Sequence, residues 1–283
     1  MATRRTLSVR GRQLARELRE IREFLGLTGE DVAKALGWSS AKVSRIETAA
    51  TPVKLPDLRK LLSLYKAPED QQTRLIELAR MADQRGWWDA FPNLRSDYAT
   101  YVELEDAAHT IYSYSALVVP GLLQTEDYAH GVLSSMLTLP PGEVKRRVQI
   151  RMRRQQRLTR EPPLEFYGVL DEAALLRQVG GPEVMRGQLA HLLELSKRPN
   201  IRLQILPLEA GAHPALTGGF IVLKVPEPGI DVVYIELMNS ILYIEEEENV
   251  HQHTLVFDAL RNQALPAEDT PGYLQQKISE IST

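Results

Sequence analysis

Arg45, Lys42, Ser40 and Ser44 fall within one short segment, Ser39-Ser40-Ala41-Lys42-Val43-Ser44-Arg45-Ile46-Glu47. An arginine presents a planar fork of donors that fits a guanine edge. A serine hydroxyl donates or accepts, and an alanine methyl can touch that of thymine. A lysine ammonium neutralises phosphate and weakens with salt. Together these groups suit recognition of duplex DNA, provided one rigid rod presents them all on one face. Val43 and Ile46, three residues apart, supply the apolar back of such a rod. The spacing therefore predicts a helix that turns Ser40, Ala41, Lys42, Ser44 and Arg45 outward, with Lys42 meeting a phosphate and Arg45 a base.

A helix needs a start, and Ser39 can cap this one. Just upstream, Thr28 opens a second helical pattern with Val32, Ala33 and Leu36 on one face. Gly37 ends it, because glycine adopts the left-handed conformation at little cost. Two short helices joined by a glycine turn make a helix-turn-helix, and Thr28 and Ser39 join the expected DNA-binding set. A further helix precedes (Leu14, Leu18, Ile21, Leu25). Two more follow (Leu58, Leu61, Leu62, Tyr65, then Leu75, Ile76, Leu78, Ala79, Met81). A plain helical hairpin would share the periodicity, so charge helps to decide. Residues 1–66 hold 14 Lys+Arg against 7 Asp+Glu, leaving 20 against 30 for the rest, so a net charge of −3 hides a basic head on an acidic body. A basic head places phosphate affinity at that end. Arg4 and Arg5 are expected to extend it as a basic arm.

The chain of 283 residues, 43% hydrophobic, suggests two domains. The boundaries expected are a five-helix head at 1–85, an aromatic linker at 86–96 and a body at 97–283. In the body, 98–107 reads as helix, 109–117 as a strand and 141–160 as a long basic helix. Further strands are expected at 164–170, 201–206, 219–225, 231–237 and 241–245, the last two joined through Met238-Asn239-Ser240. Helices are expected at 171–178, 182–197, 246–264 and 271–281. Strands interleaved with helices predict an α+β body, a mixed sheet covered by helices. The fold class is thus multidomain, an all-α head on an α+β body.

No catalytic residue is assigned. None of the six histidines makes the i,i+4 pair of a zinc protease helix, and His251 and His253 would point to different faces. His213 reads as loop. There is no Gly-x-Ser-x-Gly elbow and no phosphate loop. The run Glu245–Glu248 suits a helix start better than a metal. The order of elements in 164–206 resembles half of a phospholipase D-like domain, without the His-x-Lys pair its chemistry requires. No metal or cofactor is expected. The absence of cysteine removes disulfides and thiolate zinc sites. No run of 18 apolar residues occurs and the N-terminus lacks an apolar signal core, so a cytoplasmic, nucleoid-associated protein with no membrane partner is expected. The arginine-rich helix admits three readings: more DNA footprint, an acidic partner, or a solvated face. A ligand or partner site in the body is expected at Tyr112, Tyr114, Gln124 and Thr125, with Trp87 and Trp88 at its rim, since such side chains give large contact area with few torsions to freeze. Tyr112 and Tyr114 alternate, so they should be exposed together or buried together.

Residues 10–66 resemble the phage-repressor (XRE, or Cro/C1) type of helix-turn-helix. That resemblance implies a structural pair between Arg22 and Glu47, and base contacts from Ser40, Ala41 and Arg45. Gly29 stands where relatives often carry a phosphate-touching glutamine. The body is similar to a group of antitoxin-like regulators from high-GC Gram-positive bacteria. The strings that carry this are Gly86-Trp87-Trp88, Tyr114-Ser115, Val119-Pro120-Gly121-Leu122-Leu123-Gln124-Thr125, Leu170-Asp171-Glu172-Ala173 and Ile201-Arg202-Leu203-Gln204-Ile205-Leu206-Pro207. The resemblance implies a sequence-specific regulator binding double-stranded DNA, and because one small head reads only a few base pairs a homodimer is expected. Its body would hold a ligand or a small acidic protein encoded by a neighbouring gene. The alternative it implies is an antitoxin-type module that sequesters that partner and autoregulates its operon.

Overall fold

A computed structural model of the chain describes residues 8–281 except 84–85, 92–93, 137–138, 227–229 and 239. The expected basic arm at Arg4 and Arg5, and Asn239 of the expected hairpin turn, lie outside those residues. The chain divides into two compact units, Met1–Leu104 with Pro226–Ile230, and Glu105–Val225 with Asp231–Thr283.

The first unit holds α1 (Val9–Phe24), α2 (Gly29–Leu36), α3 (Ser40–Glu47), α4 (Leu55–Leu64) and α5 (Glu69–Asp83). Their apolar faces close one core from Leu14, Leu18, Val32, Val43, Ile46, Leu58, Leu62, Leu75 and Leu78. Leu25 departs from the expected stripe. It is the C-cap of α1 and stays exposed, because the chain turns there through left-handed Gly26. A 3-10 turn (Trp87–Ala90) comes next, then α6 (Ser96–Ala107), inside which the division between the units falls.

In the second unit the described residues form a six-stranded mixed sheet in the order β3-β2-β1-β4-β5-β6. The strands are β1 (Thr110–Ser115), β2 (Glu165–Asp171), β3 (Ile201–Leu206), β4 (Phe220–Lys224), β5 (Val232–Glu236) and β6 (Ile241–Ile244). β1, β2 and β3 are parallel, because long helical connections separate them: α7 (Glu126–Ser134) and α8 (Pro141–Arg154), then α9 (Glu172–Leu176) and α10 (Pro182–Leu195). β4 returns antiparallel on the other side of β1, and β5 and β6 follow antiparallel. α11 (Glu247–Gln263) lays Val250, Phe257 and Leu260 on the sheet face that carries Tyr114, Val169, Val222 and Val233. α12 (Thr270–Glu280) packs with α10 and against β3.

The basic helix is shorter than expected and less solvated. α8 stops at Arg154 and a 3-10 turn continues to Leu158. Two of its arginines are buried. Arg154 makes a bidentate pair with Glu105, both bonds 2.6 Å. Arg157 donates to the carbonyls of Asp106, Ala108 and Pro162 at 2.7–3.1 Å. Burial lowers the pKa of Arg157. A charged side chain enters a core when acceptors surround it, and no charge count along the chain reveals those acceptors.

Candidate nucleic-acid interface

Local hydrogen bonds set the geometry of the interface. Thr28 accepts from the amide of Asp31 at 3.1 Å while Asp31 accepts from the amide of Thr28 at 2.9 Å, a closed capping box. The Thr28 hydroxyl also donates to Asp31 at 2.6 Å, and these bonds hold the Asp31 pKa below its ordinary value. Gly37 ends α2 with φ 67°. Ser39 caps α3 by accepting from the amide of Lys42 at 3.3 Å. Thr28 and Ser39 are therefore both helix caps.

A clamp fixes the far end of α3. Arg22 on α1 donates from Nε and Nη2 to the two carboxylate oxygens of Glu47, at 2.7 and 3.0 Å, and from Nη1 to the carbonyl of Leu27 at 2.7 Å. The two side chains are 12% and 9% exposed. Glu47, first by its hydrogen bond, raises the arginine pKa against the opposing effect of burial. One guanidinium thus ties together α1, the turn before α2 and the end of α3.

With Val43 and Ile46 buried, α3 exposes Ser40, Ala41, Ser44 and Arg45. Among the described residues no hydrogen bond or ion pair engages the Arg45 guanidinium. A shallow groove of about 360 Å³ separates Arg19, Thr28 and Gly29 from Ser40, Ser44 and Thr48. Lys42 stands apart from its neighbours. Its ammonium lies 2.8 Å from the Asp57 carboxylate on α4 and 3.7 Å from the centre of the Trp38 ring. Sequence reasoning missed both Asp57 and Trp38. Trp38, four residues before Lys42, was the available signal.

The body's candidates sit in different settings. Tyr112 and Tyr114 both lie under α11. Tyr112 is half-buried and stacks on Phe257 at 5.1 Å, and Tyr114 is fully buried. The Tyr114 hydroxyl donates to Asp171 at 3.2 Å and meets Nε2 of His213 at 3.3 Å. Burial, then the Asp171 charge, pushes its pKa up. Asp171 ends β2 and caps α9, and His213 lies in the loop before β4, as its sequence context predicts; neither is assigned to a site from sequence, although Asp171 belongs to a motif string. Gln124 is buried. Its amide donates to the carbonyl of Val119 at 2.6 Å, its side-chain oxygen accepts from Arg151 at 2.8 Å, and its backbone carbonyl accepts from Gln155 at 2.6 Å. Thr125 caps α7, and its amide donates to Gln188 at 2.7 Å. Trp87 and Trp88 pack edge to face, 5.9 Å apart, and belong to the first compact unit. Among the described residues no group of three or more acidic or histidine side chains could hold a metal, and no helix is long and apolar enough to cross a membrane.

A capped helix pair with a polar, arginine-bearing second helix defines a helix-turn-helix DNA-binding regulator, and a family model described as a helix-turn-helix domain matches residues 13–75. A second model, described as a domain of unknown function (DUF5753), matches residues 98–276, and the chain belongs to that family. No curated protein and no solved structure matches it.

Proposed function

We propose that this protein is a sequence-specific transcriptional regulator of the XRE type, acting in the cytoplasm on double-stranded DNA. The observation that carries this is the clamped α3, which presents Ser40, Ala41, Ser44 and Arg45 to solvent while Val43 and Ile46 hold it to the core. Thr28 and Ser39 would add backbone and hydroxyl contacts to phosphate at two helix starts. One small head reads few base pairs, so a homodimer on a two-fold operator is the working form. The test is selection of bound duplexes from a random pool by the full chain. Enrichment of one palindromic sequence is expected. Equal affinity for selected and scrambled duplexes would refute sequence-specific reading.

The body, 97–283, serves in this proposal as a binding module without turnover. A protein partner suits it better than a small ligand held at Gln124, whose polar groups are already engaged within the chain. The exposed Lys145 and Arg153 on α8 favour an acidic partner, which is the antitoxin-type reading. Calorimetric titration of the full chain with the small acidic protein of a neighbouring gene tests it. No heat at micromolar concentration would remove that partner.

A further inference from the structure

We propose that Asp57 sets the protein's overall DNA affinity by withholding the Lys42 ammonium from the DNA backbone. The inference rests on the DNA-binding reading above. Lys42 is the third residue of α3, on a helix whose other outward groups are small or carry no described partner. It alone is engaged on two sides, by the Asp57 carboxylate at 2.8 Å and the Trp38 ring at 3.7 Å. The Lys42 and Asp57 side chains are 34% and 21% exposed, so the pair is partly shielded from screening. Asp57 also lies in the first turn of α4, where the helix dipole favours an anion whether or not Lys42 is near. A phosphate that takes Lys42 must break or share the ion pair, and it meets the Asp57 charge in doing so.

Sequence-independent affinity comes almost wholly from cation–phosphate contacts, and each adds about 0.9 to the slope of log affinity against log salt. Holding back one cation per head lowers that affinity for every sequence. Base reading by Arg45 is left intact. Specific and non-specific binding weaken by the same factor, so their ratio is unchanged, and what Asp57 sets is the overall affinity and its salt dependence.

The experiment measures full-chain affinity for a selected duplex and a scrambled one across a salt series, with Asp57→Asn, Lys42→Gln and the double variant. Asp57→Asn is expected to tighten binding to scrambled DNA by about 3- to 10-fold and to steepen the slope by about 0.9 per head. Binding to the selected duplex tightens by the same factor, so the specificity ratio is unchanged. Lys42→Gln alone should keep the wild-type slope, and the double variant should return to it. A slope that falls by about 0.9 per head in Lys42→Gln would show that Lys42 already meets phosphate and would overturn the inference. So would a gain that survives in the double variant, since it would then be general charge removal. Melting curves establish that each variant folds, and if Asp57→Asn does not, the Lys42→Gln slope decides by itself. Wild-type failure on every duplex overturns the DNA-binding reading too, whereas wild-type binding with an unchanged Asp57→Asn slope overturns this inference alone.

Discussion

Arg22 and Glu47 form a bidentate ion pair that joins α1 to the last residue of α3. The pair is largely buried, and Arg22 also satisfies the carbonyl of Leu27. The orientation of α3 therefore depends on a contact between its last residue and α1.

Glu47→Ala should be more damaging than loss of a surface pair. Removing one partner leaves a poorly solvated guanidinium, which costs about 3–5 kcal/mol when burial is complete and somewhat less here. The head's melting temperature should fall while the preferred operator stays the same. A double-mutant cycle with Arg22→Ala measures the coupling, and a coupling near zero would discard the clamp.

Arg45→Ala should act on recognition and spare the fold. The side chain is exposed. Loss of a bidentate guanine contact costs about 1–3 kcal/mol and relaxes one base position per half-site. Repeating the selection with this variant checks it, and an unchanged consensus would take Arg45 out of base reading.

Arg154 and Glu105 should show the asymmetry of buried charge. Their side chains are 3% and 2% exposed. Either Arg154→Met or Glu105→Leu alone should cost about 3–5 kcal/mol, and the double variant should lie near the wild type. Urea denaturation of the three variants tests this. Additive losses would mean that the two side chains stabilise the body independently and not as a pair.

Glu172 predicts an acid limb in the stability profile. Burial opposes its ionisation, but the Tyr273 hydroxyl, the Leu208 amide at 3.0 Å and Lys277 outweigh burial and hold its pKa below the ordinary 4.5. The folded state thus favours the carboxylate. This stability is present above about pH 4.5 and is lost as pH falls through the lower folded value. Glu172→Gln should cost about 1–3 kcal/mol at pH 7 and little at pH 3, measured by denaturant melts at both. Equal losses at both pH values would assign the effect to packing.

Elements whose causes are local were legible in the sequence. The Thr28 and Ser39 caps, the Gly37 stop and the Val43–Ile46 face are set within three or four residues, so residue type and spacing suffice to place α2 and α3. The strands were legible because alternation and turns bound them, and the shared face of Tyr112 and Tyr114 follows from the period of two. Partners distant in sequence were not legible. Asp57 engages Lys42 from α4, the next helix, across a loop, and Glu105 and the carbonyls around Arg157 turn two arginines of a basic run into core residues. Asp171 and His213 meet at Tyr114 only because β2 lies beside β1 and the loop before β4 crosses their ends. In each case a charged or polar group has several acceptors within its chemical reach, and the packing of the sheet and helices selects which of them it meets. The sequence by itself determined what class of surface α3 presents; tertiary structure decided which of its cations is free to use it.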